Sequence, residues 1–87
     1  MTNITINNKA GNVQLHIEKA YIIIDKYLPV NYVDSVLAKL PQDTDVSKGI
    51  IRNAKKKLSK RIDVINALVE VALDNKKLID ELERLTT

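Results

Sequence analysis

The sequence predicts an all-α fold, a small four-helix domain with a long C-terminal helix. Three observations carry this. Apolar residues recur at spacings of three and four over most of the 87 residues. Only two glycines, two prolines and three aromatic residues, all tyrosine, interrupt or stiffen the chain. The 45% hydrophobic content comes largely from Leu, Ile, Val and Ala, set among lysines. A chain of this length forms one domain, near the lower end of what buries a sufficient core without disulfides or metal.

Residues 1–12 lack helical periodicity and read as a flexible N-terminal arm, with Asn12 as the N-cap of the helix that follows, so that residues 13–87 form the domain. From Val13 to Leu28 the positions Val13, Ile17, Ala20, Tyr21, Ile24 and Leu28 form an apolar stripe, widened by Leu15, Ile22 and Ile23. Pro29 stops this helix. Asn31 is placed to cap a second helix with Asp34 in its first turn and Val33, Val36, Leu37 and Leu40 on its apolar side. Pro41 to Asp45 reads as a turn, and Thr44 or Asp45 as the cap of a third helix running from about Val46 to Leu58.

Ser59 is the expected cap of the last helix, which continues to about Leu85 and spans roughly 36 Å. Two apolar stripes run along it. One holds Ile62, Ile65, Val69, Ala72 and Ile79; the other keeps heptad spacing through Val64, Leu68, Val71, Asn75, Leu78, Leu82 and Leu85. The second stripe is a candidate homodimer interface through Leu68, Val71, Asn75, Leu78 and Leu82, with Asn75 fixing register.

Charge is concentrated in one place. Lys48 to Arg61 holds seven of the fourteen basic residues and no acid, while the flanking segments 29–47 and 62–87 carry −2 and −3. At about 100° per residue, Lys48, Arg52, Lys55, Lys56 and Ser59 share one arc, and Ile50, Ile51, Ala54 and Leu58 lie roughly opposite. A helix with one apolar face and one strongly positive face suits an anionic partner, with Lys and Arg neutralising phosphates and Asn53 offering the side chain that pairs with adenine. The candidate nucleic-acid contacts are Lys48, Arg52, Asn53, Lys55, Lys56, Lys57, Lys60 and Arg61. Gly49 is the residue that would let another backbone approach.

Other functions lack their residues. With no cysteine, one histidine, no phosphate-binding glycine loop and no paired-carboxylate spacing, the chain predicts no catalysis, no metal and no cofactor. Five residues, Ala20 to Ile24, make the longest apolar run, so no membrane segment is expected, and the absence of cysteine fits a cytoplasmic setting.

The order of elements resembles a helix-turn-helix module, in which Val46-Ser47-Lys48-Gly49-Ile50-Ile51-Arg52-Asn53-Ala54 looks like the opening of a recognition helix. The stretch from Leu28 to about Lys77 is similar to small helical proteins of phages and mobile elements of the Bacteroidetes. That resemblance implies a nucleic-acid-binding regulator in which Lys48, Arg52 and Lys55 face the major groove and Lys56, Lys57 and Lys60 hold the backbone. The turn Pro41 to Asp45 departs from the pattern by its length and its lack of glycine. In size and helical content the chain also resembles phage anti-CRISPR proteins. That likeness implies instead an inhibitor gripping an RNA-guided nuclease, or its guide RNA, as a protein effector.

Overall fold

The computed structural model describes the backbone of residues 2–87 and the side chains from Val13 onward. Four helices follow in order, α1 (Thr2–Tyr27), α2 (Tyr32–Lys39), α3 (Lys48–Lys55) and α4 (Ile62–Thr86), with no strand among the described residues. The all-α architecture and the long last helix agree with the sequence pattern. α1 begins N-terminal to the expected start at Val13, and the cap expected at Asn12 falls on a side chain outside the described residues. The arm expected over residues 1–12 falls on side chains outside the described residues.

α4 is the spine, touching each of the other three helices. It runs in the same direction as α1: Val13, Ile17 and Ala20 share a cleft with Ile62, Ile65 and Asn66, and farther along the amide of Asn75 reaches the carbonyl of Tyr27. α2 and α3 pack against α4 and each other, and the Lys39–Asp74 ion pair at 2.8 Å ties the end of α2 to α4. Tyr21 and Ile24 of α1, Val36 of α2, Ile51 and Ala54 of α3, and Val64, Ile65, Ala67, Leu68 and Val71 of α4 form one core, joined by Leu40 and Val46 from the α2–α3 connection. In a chain this short, burial of these side chains at roughly 1.5–3 kcal/mol each for the larger ones is the main stabilising contribution.

Several local expectations are corrected. Asn31 precedes α2 without a side-chain capping bond, and α4 is preceded by Arg61, not capped by Ser59. In α4 the orphan N–H of Val64 is taken by Asp63 Oδ1 at 2.9 Å, a carboxylate inside the first turn where the helix dipole favours it. On α1, Val13, Leu15 and Ile22 are exposed, while the stripe through Ile17, Ala20, Tyr21 and Ile24 packs into the core, with Val13 at the rim of its cleft with α4.

The heptad stripe of α4 is divided. Leu68 and Val71 are buried in their own subunit's core, Asn75 is bonded to Tyr27, and only Leu78, Leu82 and Leu85 remain exposed. The continuous dimer seam expected from the spacing is therefore not presented as one surface. The core ends at Ala72, and α4 projects beyond the end of α1 by about three turns, roughly 16 Å over Lys76–Thr86.

Candidate nucleic-acid interface

α3 owes its position to its start. Ser47, extended at φ −91° and ψ 166°, accepts the N–H of Ile50 at its Oγ, at 3.2 Å. Val46 before the cap and Ile51 in the first turn are both buried, an apolar clasp across the cap that fixes the angle at which the chain enters the helix. The cap is thus Ser47 and not Thr44 or Asp45, and α3 starts at Lys48 after a connection longer than the predicted turn. Gly49 makes no close approach, since a Cβ there would meet only Ser47 Oγ, at 3.7 Å.

α3 also ends earlier than expected. The N–H of Leu58 donates to the carbonyl of Asn53 at 2.8 Å and that of Lys57 to Ala54 at 3.0 Å, a Schellman closure with Lys57 in the left-handed region at φ 67°. Glycine is the usual residue there, and a side chain in that conformation costs about 1–2 kcal/mol. Lys57 is held from outside the turn, its Nζ lying 3.6 Å from Asp25 and 5.4 Å from the centroid of the Tyr21 ring. Leu58 falls beyond the helix and is 73% exposed, so it does not belong to the buried face to which its spacing assigned it.

Tyr21 is the joint between α1 and α3. Its hydroxyl donates to the carbonyl of Ala54 at 2.5 Å, a second bond to the acceptor that the Lys57 N–H already reaches at the end of α3. Burial, assisted by the nearby Asp25 charge, raises the phenol above its ordinary pKa.

The structure sorts the predicted contact residues into two sets. Lys48 pairs with Asp34 at 3.6 Å and Lys57 with Asp25. Arg61 bridges Asp45 at 3.2 Å and Asp63 at 2.8 Å, pinning the α2–α3 connection to the start of α4. Hydrogen bonding to Asp63 and then Asp45 raises the Arg61 pKa, and the same contact with Arg61 lowers Asp63. Arg61 thus has a structural task that its place in the basic run did not reveal. Arg52, Asn53, Lys55, Lys56 and Lys60 are exposed and have no side-chain hydrogen-bond or ion-pair partner among the described residues.

On α3 the buried Ile51 and Ala54 hold the helix to the core while Arg52, Lys55 and the C-cap Lys56 point away. The described residues contain no group of His, Asp and Glu side chains that could hold a metal ion. No described helix is long and apolar enough to cross a membrane. No family model matches the chain, and neither a curated protein nor a solved structure matches it.

Proposed function

We propose that this is a nucleic-acid-binding protein that grips phosphates through Arg52, Lys55, Lys56 and Lys60, with Asn53 at the edge of the contact, and that it acts without catalysis as a regulator of phage or mobile-element type. The observation that carries the reading is the set of cations left unpaired on and just after one short, firmly seated helix. Elsewhere Lys39, Lys76 and Arg84 are matched by Asp74, Asp80 and Glu81, and the other cations without an ion pair among the described residues, Lys19, Lys26 and Lys77, are scattered, whereas Arg52, Lys55, Lys56 and Lys60 fall within one short stretch. Unpaired, pre-positioned cations gain most from replacing phosphate counterions, because no internal ion pair has to break first.

The test is a titration of labelled duplex DNA, duplex RNA and single-stranded RNA at increasing salt. Binding is expected at low salt, with log affinity falling linearly against log salt concentration. Arg52→Glu with Lys55→Glu should abolish it while helicity is retained. Absence of binding to all three probes at low salt removes the reading.

The exposed Leu78, Ile79, Leu82 and Leu85 at the end of α4 favour a second reading. In it the chain is an inhibitor of anti-CRISPR character that holds a nucleic-acid-binding protein effector. Purified RNA-guided nuclease would then form a complex that survives high salt and nuclease treatment. A homodimer covering the same leucines would instead give a mass that rises with concentration.

A further inference from the structure

The turn that closes α3 carries two unfavourable features side by side. Lys57 takes a left-handed conformation that a glycine adopts without penalty, and Leu58 is left 73% exposed. In a Schellman closure the residue in the place of Leu58 commonly packs back onto the helix it ends. Here its partner in the closing bond is Asn53, which is polar and itself exposed, so Leu58 has nothing apolar to fold onto there. The conformation is held by the contacts of Lys57 with Asp25 and Tyr21, which fix the turn from the α1 side. Around Leu58 in sequence stand Lys55, Lys56 and Lys60, all exposed and unpaired among the described residues. A strained backbone supported from outside, presenting a large apolar side chain within three residues of three exposed cations, is a feature that folding alone does not require.

The geometry points to Leu58 as an apolar wedge that enters a groove of duplex DNA and presses on sugars and base edges, while Lys56 and Lys60 hold the phosphates on either side. This rests on the reading of α3 as a nucleic-acid-binding face and adds to it a contact of a different physical kind. Cationic contacts weaken with salt because each releases counterions on binding; an apolar contact releases none. Proteins that insert Leu, Ile, Phe or Met between base steps flank the wedge with Arg and Lys in this manner.

The two contributions separate in a salt titration of a fluorescein-labelled DNA duplex followed by anisotropy. Leu58→Ala should weaken binding about tenfold at every salt concentration, giving a line parallel to wild type. Lys56→Ala should instead give a shallower line, because one phosphate contact is lost. Leu58→Met, which keeps an apolar side chain of similar volume, should retain wild-type affinity, and unchanged thermal melting of both Leu58 variants shows that the turn is intact. Coincident lines for wild type and Leu58→Ala overturn the wedge and leave the phosphate-binding face standing. A shallower line for Leu58→Ala also overturns it, because the variant then acts through the lysines. No binding of the duplex by wild type removes the wedge, and it removes the phosphate-binding face as well only when both RNA probes also go unbound. If Leu58→Ala leaves DNA binding intact and lowers binding to vesicles of phosphatidylcholine and phosphatidylserine, Leu58 faces lipid and the wedge is overturned in that direction.

Discussion

The side-chain amide of Asn75 donates to the backbone carbonyl of Tyr27 at 2.7 Å, forty-eight positions away in sequence. Tyr27 is the last residue of α1, so the bond satisfies one of the carbonyls that a helix C-terminus leaves without an internal partner. Heptad spacing alone gave Asn75 the character of a register-setting residue between subunits. Its partner in the structure makes it a C-terminal clamp within one subunit.

Asn75→Leu is therefore expected to destabilise the monomer by about 1–2 kcal/mol, through the lost hydrogen bond and the carbonyl left behind. Thermal denaturation should show the loss with no change in the mass distribution measured by sedimentation. A change of assembly without loss of stability would return Asn75 to an intersubunit role.

The basic residues should separate into two phenotypes. Lys55→Ala and Lys56→Ala, at side chains without a partner among the described residues, should reduce nucleic-acid affinity and the salt slope with melting temperature unchanged. Arg61→Ala should lower the melting temperature slightly, because it releases the Asp45 and Asp63 contacts that join the α2–α3 connection to α4, and exposed pairs contribute little. Melting curves alongside binding curves distinguish the two.

Gly49→Ala should raise stability by about 1 kcal/mol, since the site is exposed, helical and open enough for a methyl group. Urea denaturation measures this directly. A loss of stability would show that the backbone at Gly49 needs the freedom that its surroundings do not demand.

Acid should weaken the fold through two carboxylates. Asp63 is held below the ordinary range chiefly by its hydrogen bond from Arg61, and Asp74 chiefly by that from Lys39. Because the folded chain binds these protons less tightly than the unfolded one, the stabilisation is fully present above the unfolded value of about 3.9 and is lost as pH falls through the lower folded values. Tyr21, raised by burial, works at the other end: its contribution is complete below about pH 10 and is lost as pH rises through the folded value. Melting temperature against pH should therefore fall at both extremes, with Asp63→Asn flattening the acid limb and Tyr21→Phe the alkaline one.

The two ends of α4 should respond differently to mutation. Leu68→Ala, at a fully buried position, should cost about 3–4 kcal/mol, whereas Leu82→Ser, at an exposed position, should stay within about 0.5 kcal/mol. Concentration-dependent destabilisation by Leu82→Ser would reveal a second copy covering the helix end.

What the sequence made readable was periodic. α2, the body of α4 and the stop at Pro29 follow from spacing and from proline's missing donor, and the unpaired arc of Arg52 and Lys55 follows from 3.6 residues per turn. What it concealed depended on contacts between distant residues. Leu58 has the spacing of a core residue, but the closure at Lys57 removes it from the helix before that spacing applies. Arg61 and Lys48 look like the other cations until Asp45, Asp63 and Asp34 are brought beside them by the fold. Ser47 was legible as a cap in principle, with Val46 and Ile51 as its apolar clasp, but Thr44 and Asp45 carry the same local preference and only packing decides among them. The apolar stripe of α4 had no mark of where the subunit's own core stops.

Beyond Asn75 the fold changes character: Lys76 still lies over the Tyr27 ring and Leu78 beside Pro29 and Asn31, and past Asp80 α4 runs on as a rod. Its final turns can unwind without exposing any residue of the core, and what keeps them helical is intrinsic propensity together with the Lys76–Asp80 and Glu81–Arg84 pairs along their own surface. Amide protons there should exchange long before those near Leu68, in a gradient that rises toward Thr86. A ligand that captured the rod would slow exchange at its tip first, giving a local signal of occupancy that leaves the basic face on α3 unobstructed.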